Sequence, residues 1–174
     1  MRNFIYFLFL LLFSCSEKNN GDLPSSEGIP DQESWGVTII MTHDGIMRAE
    51  VKSGHLKKYN EQEYIVLDSS VVVDFFDLQE RHTSTLFSEK AEINEKSNDM
   101  LAIGNVIAKS DSGITLFSET LTWTADDEKL LTKDSIMITT LDKDTLFGKG
   151  FESDADLENW RIINPSGVTG SELQ

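Results

Sequence analysis

The 174 residues suit one domain, and one cysteine rules out a disulfide framework. Thirty acidic against fifteen basic side chains give a net charge of −15, which argues against nucleic acid and against electrostatic docking on anionic lipid. The plainer role of the acids is to keep a strand-rich secreted protein soluble and unaggregated. At the N-terminus Arg2 precedes an apolar run from Phe4 to Phe13, too short for a mature bilayer span but suited to secretion. Residues 1–14 are therefore expected to be a signal peptide, and Leu12-Phe13-Ser14-Cys15 resembles a bacterial lipobox that would leave Cys15 as the lipidated first residue. An ordinary signal peptide with an incidental cysteine is the alternative. Residues 15–34 carry Asn19, Asn20, Gly21, Pro24, Gly28 and Pro30 and hardly a large apolar side chain, which predicts a flexible tether. The folded domain is expected over residues 35–170.

Within the domain one phrase returns at a fixed interval. Leu86-Phe87-Ser88-Glu89, Leu116-Phe117-Ser118-Glu119 and Leu146-Phe147-Gly148-Lys149 start 30 residues apart each time, the mark of a fold built by repeating one supersecondary unit. Alternate positions correspond from copy to copy: Phe87, Ala91 and Ile93, then Phe117, Leu121 and Trp123, then Phe147 and Phe151. Period-two correspondence predicts a strand with these residues on one face. A return strand follows, with Ala102, Gly104, Val106 and Ala108 lying 30 residues before Thr132, Asp134, Ile136 and Ile138. Polar clusters at 95–99, 111–113, 125–129 and 142–144 read as turns between strands. A weaker copy, with Met47, Ala49 and Val51 in one strand and Val71 to Val73 in the next, precedes these. The whole is thus all-β, an antiparallel array of repeated hairpins.

Catalysis finds no support. His43, His55 and His82 are scattered without metal-ligand spacing, Asp126-Asp127-Glu128 and Asp142-Lys143-Asp144 lack the ligand pattern of a calcium loop, and no nucleophile elbow, phosphate loop or dinucleotide fingerprint occurs. No cofactor or metal is expected. What remains is the apolar face formed by Phe87, Ala91, Ile93, Val106, Phe117, Leu121, Trp123, Ile136, Ile138, Phe147 and Phe151. It either fills the core of a sandwich or, in a sheet folded over on itself, lines an elongated trough open at both ends and suited to an acyl chain, each buried methylene contributing about 0.8 kcal/mol. Glu89, Glu119 and Lys149 occupy equivalent places and stand either at the rim of that trough or in an internal ion pair. Trp35, Val37 and Ile39 at one end, with Trp160 and Ile162 at the other, mark apolar edge strands that would pair with another protein's sheet unless they are already paired internally.

Trp35-Gly36-Val37, Asp44-Gly45-Ile46-Met47-Arg48-Ala49-Glu50-Val51, the Leu-Phe-Ser-Glu phrases and Leu101-Ala102-Ile103-Gly104-Asn105-Val106 together resemble the lipopolysaccharide-export protein LptC and its OstA-like, LptA-like relatives, over roughly residues 35–170. The resemblance implies a folded-over β-jellyroll whose interior accepts the lipid A acyl chains of lipopolysaccharide. It further implies a periplasmic relay that takes them from an inner-membrane ABC transporter and passes them to an LptA-like bridge protein, the jellyrolls joining edge to edge. Many members of that family keep an uncleaved transmembrane helix where this chain has Cys15, so attachment of the anchor to the inner membrane follows from the family's role alone. The alternative expectation is a structural or adaptor lipoprotein that binds a protein through its sheet edges and carries no lipid.

Overall fold

The computed structural model describes residues 28–166; the signal segment and Cys15 lie outside the described residues. Ten strands follow one another: β1 (Gln32–His43), β2 (Ile46–Tyr59), β3 (Tyr64–Phe76), β4 (His82–Ser88), β5 (Lys90–Asn94), β6 (Met100–Ser110), β7 (Thr115–Thr124), β8 (Lys129–Thr139), β9 (Thr145–Asp154) and β10 (Arg161–Ser166). They form a single antiparallel sheet in the order β1-β2-β3-β4-β6-β7-β8-β9-β10, with β5 continuing the line of β4 between β3 and β6. The predicted turns join the predicted strands. The first strand opens at Gln32, inside the stretch expected as tether, because Asp31 already caps the sheet: its N–H donates to Lys58 O, and its carboxylate accepts from Asn60 N.

The sheet is folded along a row of irregularities that crosses it from β2 to β9. Register shifts fall between Ser53 and His55, Ile103 and Val106, Phe117 and Thr122, and Thr132 and Ser135. The break between β4 and β5 lies on the same row. At this row an extra residue inverts the alternation of the chain, since a slip of one residue sends every following side chain to the other face. In β4 and β5, Ser84, Leu86 and Ser88 point inward, then Ala91 and Ile93. In β7, Leu116 and Ser118 are followed by Leu121 and Trp123, and in β9 Gly148 and Gly150 by Phe151 and Ser153. The return strands keep their phase. Met100, Ala102, Gly104, Val106 and Ala108 are all buried, the bend being absorbed by two left-handed residues, Gly104 and Asn105, just as Ser69 and Ser70 absorb it in β3.

This overturns part of the predicted inner face. Phe87 and Phe147 are 38% and 48% exposed on the outside of the folded sheet, and Phe117 is on the same outer row. Ala91, Ile93, Val106, Leu121, Trp123, Ile136, Ile138 and Phe151 do face the core and are no more than 4% exposed. Ser118 faces inward. Glu89, Glu119 and Lys149 are exposed at the fold line, where Glu89 accepts from the Asn105 amide across the bend.

Candidate functional site: the mouth between the two leaves

The bend divides the sheet into two leaves that pack face to face. One leaf contains Val37–Ser53, the C-terminal part of β3, β4 and the strand segments in line with them. The other contains Leu56–Leu67, β5 and the segments ending at Trp123 and Ser153. Three contacts tie them at the mouth opposite the bend. The Phe75 ring tilts against Trp123 at 5.7 Å between centroids, Ser84 Oγ donates to Ala155 O, and Arg48 pairs with Glu128. The Arg48 side chain is 11% exposed and its Nε also donates to Phe76 O at 3.2 Å. Behind these contacts the interior is filled: Leu67, Leu86, Leu116, Leu121, Leu130 and Phe151 are at most 1% exposed. The continuous trough expected from the repeat is, in this form, a close-packed core.

Space opens beside β1. A cleft of about 370 Å³ is lined by Ile39 and Met41 of β1, Arg48 of β2, Ile65 of β3, Ile93 of β5 and Trp123 of β7, with Glu95, Ser97, Ala125 and Asp126 of the opposing turns at its rim. Its volume lies within the range of small-ligand sites, and its lining is mixed, with the polar Thr42, His43 and Asn98 also beside the apolar Ile39, Met41, Ile65, Ile93 and Trp123. A second hollow of about 410 Å³ on the other side of Arg48 is lined by Asp77, Asp127, Glu128, Asp154 and Asp156 with Arg81, too acidic a surface for an acyl chain or an anion. Of the predicted lipid-facing residues the fold brings Ile93 and Trp123 to the cleft. Ile39, expected at a protein edge, lines it as well. Met41, Ile65 and Arg48 had no distinguishing sequence signal, because which strands of one leaf face which turns of the other depends on the crossing of the leaves.

The two predicted edges are edges. β1 and β10 end the strand order, and Trp35 is 70% exposed, its ring stacked on His55 at 5.1 Å. Val37, Ile39, Trp160 and Ile162, however, pack partly against the core, so what these edges offer a neighbour is mainly unpaired backbone. His55 Nδ1 lies 3.1 Å from Asp68, whose carboxyl is held below its ordinary range by the Ser69 hydroxyl first, then by His55 and Lys57, against the opposing effect of burial. On the outer face burial pushes the Asp74 carboxyl up, but hydrogen bonds from Thr85 and Lys52 outweigh it and leave it lowered. Glu152 is lowered by Arg161 and Lys129, which fasten β10 and β8 to β9. Among the described residues no group of side chains is arranged to hold a metal ion.

A profile of proteins described as lipopolysaccharide-assembly, LptC-related matches residues 30–167. The chain belongs to the LptC-related family. Its folded-over sheet is also similar to the crystal structure of LptH, the LptA-homologous periplasmic component of the lipopolysaccharide transport device of Pseudomonas aeruginosa, with a TM-score of 0.53 at 13% identity over 72% of this chain and 86% of that one. That likeness shows a shared fold, the LptA-like β-jellyroll. A comparison with curated protein sequences finds no match. Membership of the family gives the chain a role in lipopolysaccharide transport.

Proposed function

We propose that the domain is a non-enzymatic periplasmic relay, lipid-anchored through Cys15 to the inner membrane. It takes lipopolysaccharide by its acyl chains from an inner-membrane ABC transporter and hands it to an LptA-like bridge protein. The observation that carries the reading is the cleft between the leaves beside β1, whose apolar side is made by Ile39, Met41, Ile65 and Ile93, in a chain of the LptC-related family. An acyl chain entering there would lie on Ile39, Met41 and Ile93 and would have to part the leaves to go deeper, where Ala91, Val106, Leu121, Ile136, Ile138 and Phe151 would receive it. The chain supplies an apolar path and the transporter the energy. The free edges β1 and β10 supply the backbone donors and acceptors by which such domains could be joined in series.

Photocrosslinking in living cells tests this. A probe at Ile93 is expected to give a lipopolysaccharide adduct, and one at Phe117, on the outer face, none. Absence of adduct at Ile93 together with protein adducts at Trp35 would instead favour the adaptor reading, which the 70% exposure of Trp35 on an edge strand supports.

A further inference from the structure

Trp123 lines the cleft, is 3% exposed, and carries a buried indole Nε1–H with no hydrogen-bond partner among the described residues. An indole nitrogen only donates, and a donor left alone in apolar surroundings forfeits a hydrogen bond it would make in water. The ring itself is fixed against Phe75. We propose that Trp123 is a specificity-determining residue of the cleft, its Nε1–H, closed off while the leaves are shut, donating once they part to the ester or amide carbonyl at which an acyl chain begins, while the chain lies along Ile39, Met41, Ile65 and Ile93. The surroundings select this acceptor over others. An anionic head group would meet Asp126, while Glu95 is paired with Lys58, His43 is the one other lining group able to carry positive charge, and the guanidinium of Arg48 is already engaged by Glu128 and Phe76 O. A plain hydrocarbon would leave the indole unmet. A neutral carbonyl joined to a hydrocarbon satisfies both parts of the site. The inference rests on the relay reading and adds to it a demand on the chemistry of the ligand.

The test uses the full chain with nitrogen-15 in its three indole groups, the Trp123 resonance being assigned by its loss in Trp123→Phe. The probes are lipopolysaccharide, an acyl-ester lysophosphatidylcholine, and the alkyl-ether analogue of the same chain length. The expected result is a downfield shift of the Trp123 indole proton with lipopolysaccharide and with the ester but not with the ether. Trp123→Phe, checked for unchanged melting, should lose about fivefold in affinity for the ester and little for the ether. Binding of lipopolysaccharide with an unmoved indole proton, or equal losses for ester and ether, overturns the proposal and leaves the relay reading standing. Failure of the unaltered chain to bind lipopolysaccharide overturns both.

Discussion

The third copy of the repeated phrase has Gly148 where the first two have Ser88 and Ser118, and the exchange has a local cause. In the first two copies the serine sits at the bend with its hydroxyl donating to the carbonyl two residues on, Lys90 O and Thr120 O, each at 2.8 Å. Ser53 does the same with His55 O at 2.9 Å in the earlier, weaker copy. These hydroxyls satisfy carbonyls that the interrupted ladder leaves without a strand partner. At residue 148 the last strand crosses too closely for any side chain: a Cβ there would lie 2.2 Å from Ile162 Cγ2 and 2.8 Å from Asn164 O. Gly148→Ser is therefore expected to push β10 off β9 at a cost of about 1–3 kcal/mol, the usual range for overpacking. Hydrogen exchange should show lost protection of the β10 amides with β2 to β7 unchanged; retained protection of β10 would mean that the strand can shift to make room. The serine looked like an ordinary outward polar residue in the sequence because its hydrogen bond goes to its own backbone, and no spacing rule records that.

At the scale of the strand, the same bend explains which part of the pattern was legible. Return strands such as β6 could be read straight through, because Gly104 and Asn105 together take up the bend and leave the parity of Ala102 and Val106 intact. Leading strands could not. The extra residue at Glu119 makes Phe117 and Leu121 opposite in direction although their spacing in sequence says they agree. The displaced aromatics have a role of their own. Val72, Phe87, Ile107, Phe117, Met137 and Phe147 are directly opposed from strand to strand, forming one apolar row across the outer face of six strands. Lys109 Nζ lies 5.6 Å from the centre of the Phe87 ring in this row. Cross-strand pairs of this kind contribute about 0.2–1 kcal/mol each. Phe117→Ala should accordingly cost about 1 kcal/mol, against about 2–5 kcal/mol for Leu121→Ala, whose side chain is 1% exposed in the core. Urea unfolding of the two variants distinguishes the faces, and comparable losses would contradict the inversion at the bend.

For the molecule as a whole the repeat predicted a sheet and the family resemblance its folding over, but neither predicted how the two leaves close on each other. Closure is decided by contacts between residues distant in sequence, of which Arg48 with Glu128 is the most buried ionic one at the mouth. The pair stands between the cleft beside β1 and the acidic hollow, so it both joins the leaves and borders that cleft. Removing one partner leaves the other charge in poorly solvated surroundings, whereas removing both removes the need for pairing. Glu128→Ala is thus expected to destabilise the fold by about 2 kcal/mol, since Arg48 keeps only its bond to Phe76 O. The double change Arg48→Met with Glu128→Met should recover much of that loss, in the manner of apolar replacements for buried ion pairs. Loading of lipopolysaccharide separates a latch from a mere brace. If parting the leaves limits entry, both variants should load faster than the unaltered chain, because each lacks the ionic tie whatever its stability. If only the less stable Glu128→Ala loads faster, entry follows general loosening of the domain, and the ion pair holds the mouth without gating it.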